Sequence, residues 1–441
     1  MNKHTFVIIT CLLCLAISTP LPAQEGFSDI FFDQPAVDSH IDFTGSVAIQ
    51  VNSEIPFSGT KPNAVFIVPN ASFDLLWQER QQKAELGMSF TPKALSDTIT
   101  FGDVFNLVKI TRYVSWGYIE FGYMKKEWGS GNGMHALDPL NAMDQRNGIR
   151  FDLLEMKIPE PMLSFNISQG NFSGELVYKP FFQPNLFSVT GRWAIADPAL
   201  LALIDYSTIP DTHTLEYGQG GIRLRWHAPR IDLGIIGYYG FYPQSAFRYT
   251  IDYSTFAVTS ISLDYTRGAL LGIESTLAAG PLTFMTEVGM WISEDYKGVD
   301  PQAYNNKAVY QIGCDYQIPG SNLVSTIQLN GQYVFDFDAT DVFDVDTLQA
   351  YGDKAYVNNL LVAVDGRWMS ERLATQIGLI WNIESSGYAA FASGTWHVDD
   401  NIEFNIKATF YGDFKKTALI DSIYERWDAN DSVSATCTYR F

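Results

Sequence analysis

The sequence predicts an all-β protein: a closed antiparallel transmembrane β-barrel of about 16 strands, within a range of 14 to 18, behind a cleaved signal peptide. Three observations predict it. Apolar and polar residues alternate strictly along many successive segments. Past the leader, no run of 18 apolar residues offers a membrane-spanning helix. Aromatic residues, 23 Tyr and 30 Phe among them, gather near the ends of the alternating apolar faces.

The leader is "MNKHTFVIITCLLCLAISTPLPAQE". Lys3 precedes an apolar run from Phe6 to Ile17, Pro20 and Pro22 break it, and Ala23 stands before Gln24. That is the layout of a secretory signal peptide cut near 23/24, with a cut after Ser18 as the alternative. The domain reading is therefore signal peptide 1–23, a short periplasmic segment 24–38 and a barrel over 39–441. Only Cys314 and Cys437 then remain, so no disulfide framework is expected. The formal charge of −20 argues against a nucleic-acid partner, whose binders carry basic patches.

In the first third, strands are expected near 40–52, 72–91, 99–111, 116–127, 150–168 and 172–181. The pattern sharpens afterwards. "GIRLRWH" sets Ile222, Leu224 and Trp226 against Arg223, Arg225 and His227. Further strands read at about 231–242, 261–278, 281–293, 307–318, 323–337, 355–369, 373–383, 386–397 and 402–411. In the last of these, Ile402, Phe404, Ile406 and Ala408 oppose Glu403, Asn405 and Lys407. The chain finishes on Val433, Ala435, Cys437, Tyr439 and Phe441, interleaved with Ser434, Thr436, Thr438 and Arg440.

A soluble sandwich also alternates, but these strands are long, numerous and tipped with aromatics. Trp226, Tyr239, Tyr333, Trp368, Trp381, Trp396 and Tyr439 fit an interfacial girdle. Very short joins at 228–230, 279–281, 319–321, 370–371 and 399–400 alternate with long polar loops near 183–214, 243–260, 294–306, 338–354 and 415–427. Short turns on one side and long loops on the other suit a barrel in the outer membrane of a Gram-negative-type envelope. The short join at 385–386 departs from that rhythm. In hydrocarbon every backbone group must be paired, so a spanning sheet has to close.

The least barrel-like stretch is 122–167, "GYMKKEWGSGNGMHALDPLNAMDQRNGIRFDLLEMKIPEPMLSFNI". Here the chain resembles substrate-type and uncharacterised porin-like barrels, in which a W-G-x-G turn leads to a D-P-L-N segment. The matching residues are Trp128, Gly129, Gly131, Asp138, Pro139, Asn141 and Asp144, and the resemblance extends over roughly 100–290, including Pro180, Pro184 and Trp193. It implies an outer-membrane channel of unknown cargo. The segment is either an ordered external loop or a loop folded into the lumen as a constriction. The ending in Tyr439 and Phe441 likewise resembles the signal that outer-membrane barrels present to the assembly machinery.

If the apolar face meets lipid, Arg223, Arg225, Asp365, Arg367, Glu403 and Lys407 face the interior. There they either set ion preference or pair with one another across the wall. Asp336, Asp338, Asp341, Asp344 and Asp346 form an acidic loop, read as solvated or as a weak divalent or cation-enriching vestibule, without the glycine and glutamate of a calcium loop. No metal site, cofactor or catalytic set is expected: His40, His135, His213, His227 and His397 are scattered, with no nucleophile elbow. The expected partners are outer-membrane lipid, the assembly machinery and small polar solutes or ions. The alternatives are a surface binding or adhesion barrel and a transporter of hydrophobic cargo.

Overall fold

A computed structural model describes residues 39–54, 65–91, 101–150, 153–255, 257–341, 343–415 and 422–441. The expected signal peptide, 1–23, and the 24–38 segment lie outside the described residues. The strands are β1 (His40–Glu54), β2 (Val65–Glu79), β3 (Gln82–Phe90), β4 (Phe105–Val114), β5 (Gly117–Met124), β6 (Glu160–Gln169) and β7 (Phe172–Lys179). Then come β8 (Gln219–His227), β9 (Ile231–Phe241), β10 (Ala246–Asp252), β11 (Ala257–Asp264), β12 (Arg267–Ala279), β13 (Leu282–Ser293) and β14 (Lys307–Gln317). The last are β15 (Leu323–Val334), β16 (Tyr356–Trp368), β17 (Leu373–Asn382), β18 (Gly387–His397), β19 (Ile402–Asp413) and β20 (Ser432–Arg440).

Among the described residues 18 of these strands form one antiparallel sheet, while β10 and β11 make a separate hairpin. The sheet closes because β20 pairs with β1, from Arg440 opposite Ser46 to Ser432 opposite Glu54. Phe441 completes that seam: its N–H and C=O each bond Gly45 at 2.9 Å. Closure joins the first and last strands of the sheet, which is what a sheet needs to cross hydrocarbon.

The barrel has two strands more than the central expectation of 16, at the upper end of the range. The stretch 72–91 is not one strand but parts of β2 and β3 around a tight turn, where Arg80 takes a φ of 41°. That turn carries no Gly, Asn or Pro, so nothing in the local sequence marks it. Three further boundaries move. Residues 101–104 form a helical turn ahead of β4, and 153–156 form another ahead of β6, which starts only at Glu160. The expected 243–260 loop contains the β10–β11 hairpin, so the barrel strand read from 261 starts at Arg267. The short join after β17 is real: Glu384 accepts from the Asn358 backbone N–H at 2.6 Å, and Ser386 turns the chain with a φ of 61°.

Outward positions are apolar and exposed along every wall, for example Ile49, Ile235, Ile273, Ile312, Ile327, Ile377 and Ile406. Trp226, Trp368, Trp396 and Tyr439 ring the short-turn end, and Tyr239, Tyr333 and Tyr356 the long-loop end. From Tyr356 to Trp368 the strand rises roughly 40 Å, which at a tilt of about 40° spans roughly 30 Å of bilayer. This is the architecture of an outer-membrane β-barrel.

Candidate functional site

The described residues between β5 and β6, 125–150 and 153–159, run inward. Lys126 Nζ bonds Glu120 at 2.7 Å and Glu175 at 2.6 Å, both on inward faces of the near wall. Trp128 is fully buried and donates Nε1–H to Glu175 at 2.8 Å. Farther along, Asn132 Nδ2 reaches Asp315 on β14 at 3.1 Å, and Gln328 on β15 donates to the Met134 carbonyl. Tyr411 on β19 donates to the Ile149 carbonyl at 3.2 Å. The segment therefore crosses the lumen from β5 to the opposite wall.

Glu287, in the middle of β13, is the anchor. Its side chain is fully buried. Oε1 accepts the backbone N–H groups of Ser130 at 2.7 Å and Gly131 at 2.8 Å, and faces His135 Nδ1 at 3.1 Å. Oε2 accepts those of Ala136 at 2.7 Å and Leu137 at 2.9 Å. A charged acceptor surrounded by donors that would otherwise be unpaired is what makes such a buried carboxylate tolerable. Gly129 lets the chain bend around it: φ is +100°, and a Cβ there would lie 2.5 Å from Glu287 Oε1. Gly221 on β8 serves the same docking, since a Cβ there would stand 2.7 Å from the Trp128 ring.

The rest of the segment is tied internally. His135 Nε2 meets Glu127 at 2.9 Å. Burial draws the His135 pKa down, but the hydrogen bonds to Glu127 and Glu287 and the charges of Glu287 and Asp138 outweigh it and raise it to about 9. Asp138 pairs with Lys157, whose Nζ also bonds the Lys126 carbonyl at 2.7 Å. Asn141 is a backbone clamp: it accepts from Lys126 N at 2.8 Å and donates to the carbonyls of Ile158 at 2.9 Å and Met124 at 3.2 Å. Asp144 holds Arg146 through two bonds of 2.5 and 2.8 Å. Trp128, Gly129, Gly131, Asp138 and Asn141 thus all work inside the barrel, whereas Asp144 turns toward the next loop at Leu186.

The lumen-facing charges divide. Arg223 is buried and bidentate to Glu274, at 2.7 and 2.8 Å, and bonds the Gly129 carbonyl at 2.8 Å. Asp365 accepts from Gln376 at 2.7 Å, and Glu403 from Arg440 at 2.9 Å. Arg225, Arg367 and Lys407 point inward with no side-chain hydrogen bond or ion pair among the described residues. Two cavities flank the loop toward the short-turn end. One, of 450 Å³, lies against β5–β8 and is lined by Lys126, Glu127, Asn166, Ser173, Glu175 and Arg225. The other, of 380 Å³, lies against β17–β20 and is lined by Glu155, Gln376, Ser393, Glu403, Asn405 and Lys407.

The acidic loop is a structural element. Asp338 and Asp344 accept backbone N–H groups two residues on, at 2.8 Å each, and Asp346 is fully buried and accepts from Asn305 N. Among the described residues no group of three His, Cys, Asp or Glu side chains has a metal-holding arrangement. Ser173, His227 and Asp232 form a hydrogen-bonded row, with Oγ 2.9 Å from Nε2 and Nδ1 3.0 Å from Oδ1. Ser173 sits within β7, opposite Ser168 on one side and Arg225 on the other. The row links three strands at the short-turn mouth.

Sequence reasoning missed Glu287, Glu274, Glu175 and His135. A signal existed for the first: Glu287 stands mid-strand on an inward face whose neighbours are Met285 and Gly289, where a lone carboxylate needs a partner from outside the sheet.

No family model and no curated protein matches the sequence. Among solved structures, variants of the Rh. blastica porin resemble the fold, one with 8% identity and a TM-score of 0.40, covering 91% of this chain and all of that one. The outer membrane channel DcaP of Acinetobacter baumannii is also similar, with 12% identity and a TM-score of 0.43, covering 91% of this chain and 97% of that one.

Proposed function

We propose that the protein is a channel passing small polar solutes or ions across the outer membrane, through a lumen that the 125–159 loop narrows. The observation that carries this is the loop itself: it crosses a closed 18-stranded barrel, is pinned at mid-depth by Glu287, and leaves cavities lined by polar and charged side chains. A barrel of this strand number leaves an aqueous interior unless something fills it. Here the loop fills the centre and polar space remains at the walls. The linings speak against a hydrophobic cargo, whose path needs apolar walls.

Single-channel recording of the refolded mature chain in a planar bilayer tests the proposal. Steady, resolvable openings are expected. Silence from correctly folded barrels would overturn it and turn attention to the outer loops as a binding surface.

A further inference from the structure

Granted that the protein is a channel, the two cavities beside the loop point to a solute class. In each, one charged side chain is engaged by no other group among the described residues, and in both it is a cation. On the β5–β8 side Glu175 is saturated by Lys126, Trp128 and Ser164, while Glu127 faces His135 and Arg223 faces Glu274. Arg225, directly across from Ser173 on the neighbouring strand, is left with its guanidinium donors open to the 450 Å³ space. On the β17–β20 side Glu403 carries Arg440 at 2.9 Å and His397 at 3.2 Å, and Glu155 lies 3.5 Å from Arg150. Lys407 Nζ is left open to the 380 Å³ space. Inward carboxylates without an ion pair among the described residues, such as Asp74, Asp315, Asp365 and Asp413, line neither cavity.

We propose that these two spaces select small carboxylate-bearing solutes, with the charge held by Arg225 on one side of the loop and Lys407 on the other. This rests on the channel reading. A guanidinium fork matches a carboxylate in two parallel hydrogen bonds, and an ammonium acts as a point charge. The volumes sit at the low end of small-molecule sites, suited to one small organic acid at a time. The formal charge of −20 does not oppose this. Selectivity is set by charges within a few ångströms of the path, and charges beyond about 8–10 Å are largely screened in physiological salt. One unit charge about 5 Å from the path enriches its counter-ion about fourfold even at the dielectric of water.

The test is the reversal potential of the refolded mature chain under a potassium chloride gradient, repeated with potassium benzoate. Folding of each variant is checked by heat-modifiable gel mobility. The wild type should be anion-biased several-fold. The double variant Arg225→Gln, Lys407→Gln should lose that bias, and Arg225→Lys should keep most of it. Isothermal titration of benzoate into the folded barrel should show binding that Arg225→Gln abolishes. An open channel with cation bias, a bias unmoved in the double variant, or benzoate heat unaffected by Arg225→Gln would each overturn the inference while leaving a channel in place. Absence of any current from folded barrels would overturn the channel reading and this inference with it.

Discussion

Replacing Glu287 by Ala removes the acceptor for four loop N–H groups and the His135 imidazole at once. Hydrogen bonds to a charged group contribute about 1.5–3 kcal/mol each, so the gross loss starts at about 7.5 kcal/mol. Water entering the vacated space recovers part of it. Breaking a buried charged contact on one side typically costs about 3–5 kcal/mol, which is the net figure expected here. The barrel ladders do not depend on Glu287, so the loss falls on loop docking, a factor of roughly 10²–10⁴ in its equilibrium. Recordings of Glu287→Ala should then show larger and noisier conductance, and 125–159 should lose protection from hydrogen exchange while the strands keep theirs. Glu287→Gln, which retains one acceptor oxygen, should fall between. Unchanged conductance and unchanged exchange in a folded Glu287→Ala barrel would refute the anchor role.

Further predictions are narrower. The His135 pKa is raised to about 9 from an ordinary 6.5, so its stabilisation is complete below 6.5 and lost as pH climbs through 9. The whole shift corresponds to about 3 kcal/mol, of which only the share from Glu287 falls on docking, because Glu127 and Asp138 belong to the loop itself; channel noise should rise across that window and stay flat with pH in His135→Gln. Gly221→Val should drive a side chain into the Trp128 ring and loosen the loop as Glu287→Ala does, read by the same exchange experiment. Trp128→Ala should destabilise the docked loop by about 3–5 kcal/mol, the range for emptying a buried aromatic site. Phe441→Ala removes a ring that covers Gly45 and packs edge-on to Phe73, and should lower assembled barrel in cells several-fold, with Tyr439→Ala acting in the same direction. Equal yields would remove both residues from the assembly role.

The wall was legible because its physics is local. Alternation at period two named the outward residues, and loop length named the two ends; both depend only on neighbours in sequence. The β2–β3 turn escaped because Arg80 and Gln81 carry no turn chemistry. The inserted loop was legible as a departure from strand pattern, through Gly129, Gly131 and Pro139, but its direction was not. That direction is decided by Glu287, 150 residues away from Leu137, and by glycines on far strands that leave room for Trp128 and Leu137. The lumen charges followed the same divide. Inward facing was readable for Arg223 and Arg225 alike, yet only the three-dimensional pairing with Glu274 separates a buried structural arginine from an open one.

The most direct measurement compares single-channel conductance of the whole mature chain with that of a variant in which residues 129–148 are replaced by a short Gly-Ser linker. A loop that narrows the lumen predicts steady small openings in the first and conductance several-fold larger in the second. Equal conductance in two correctly folded barrels would mean that the loop does not restrict the path, and the central claim would fall.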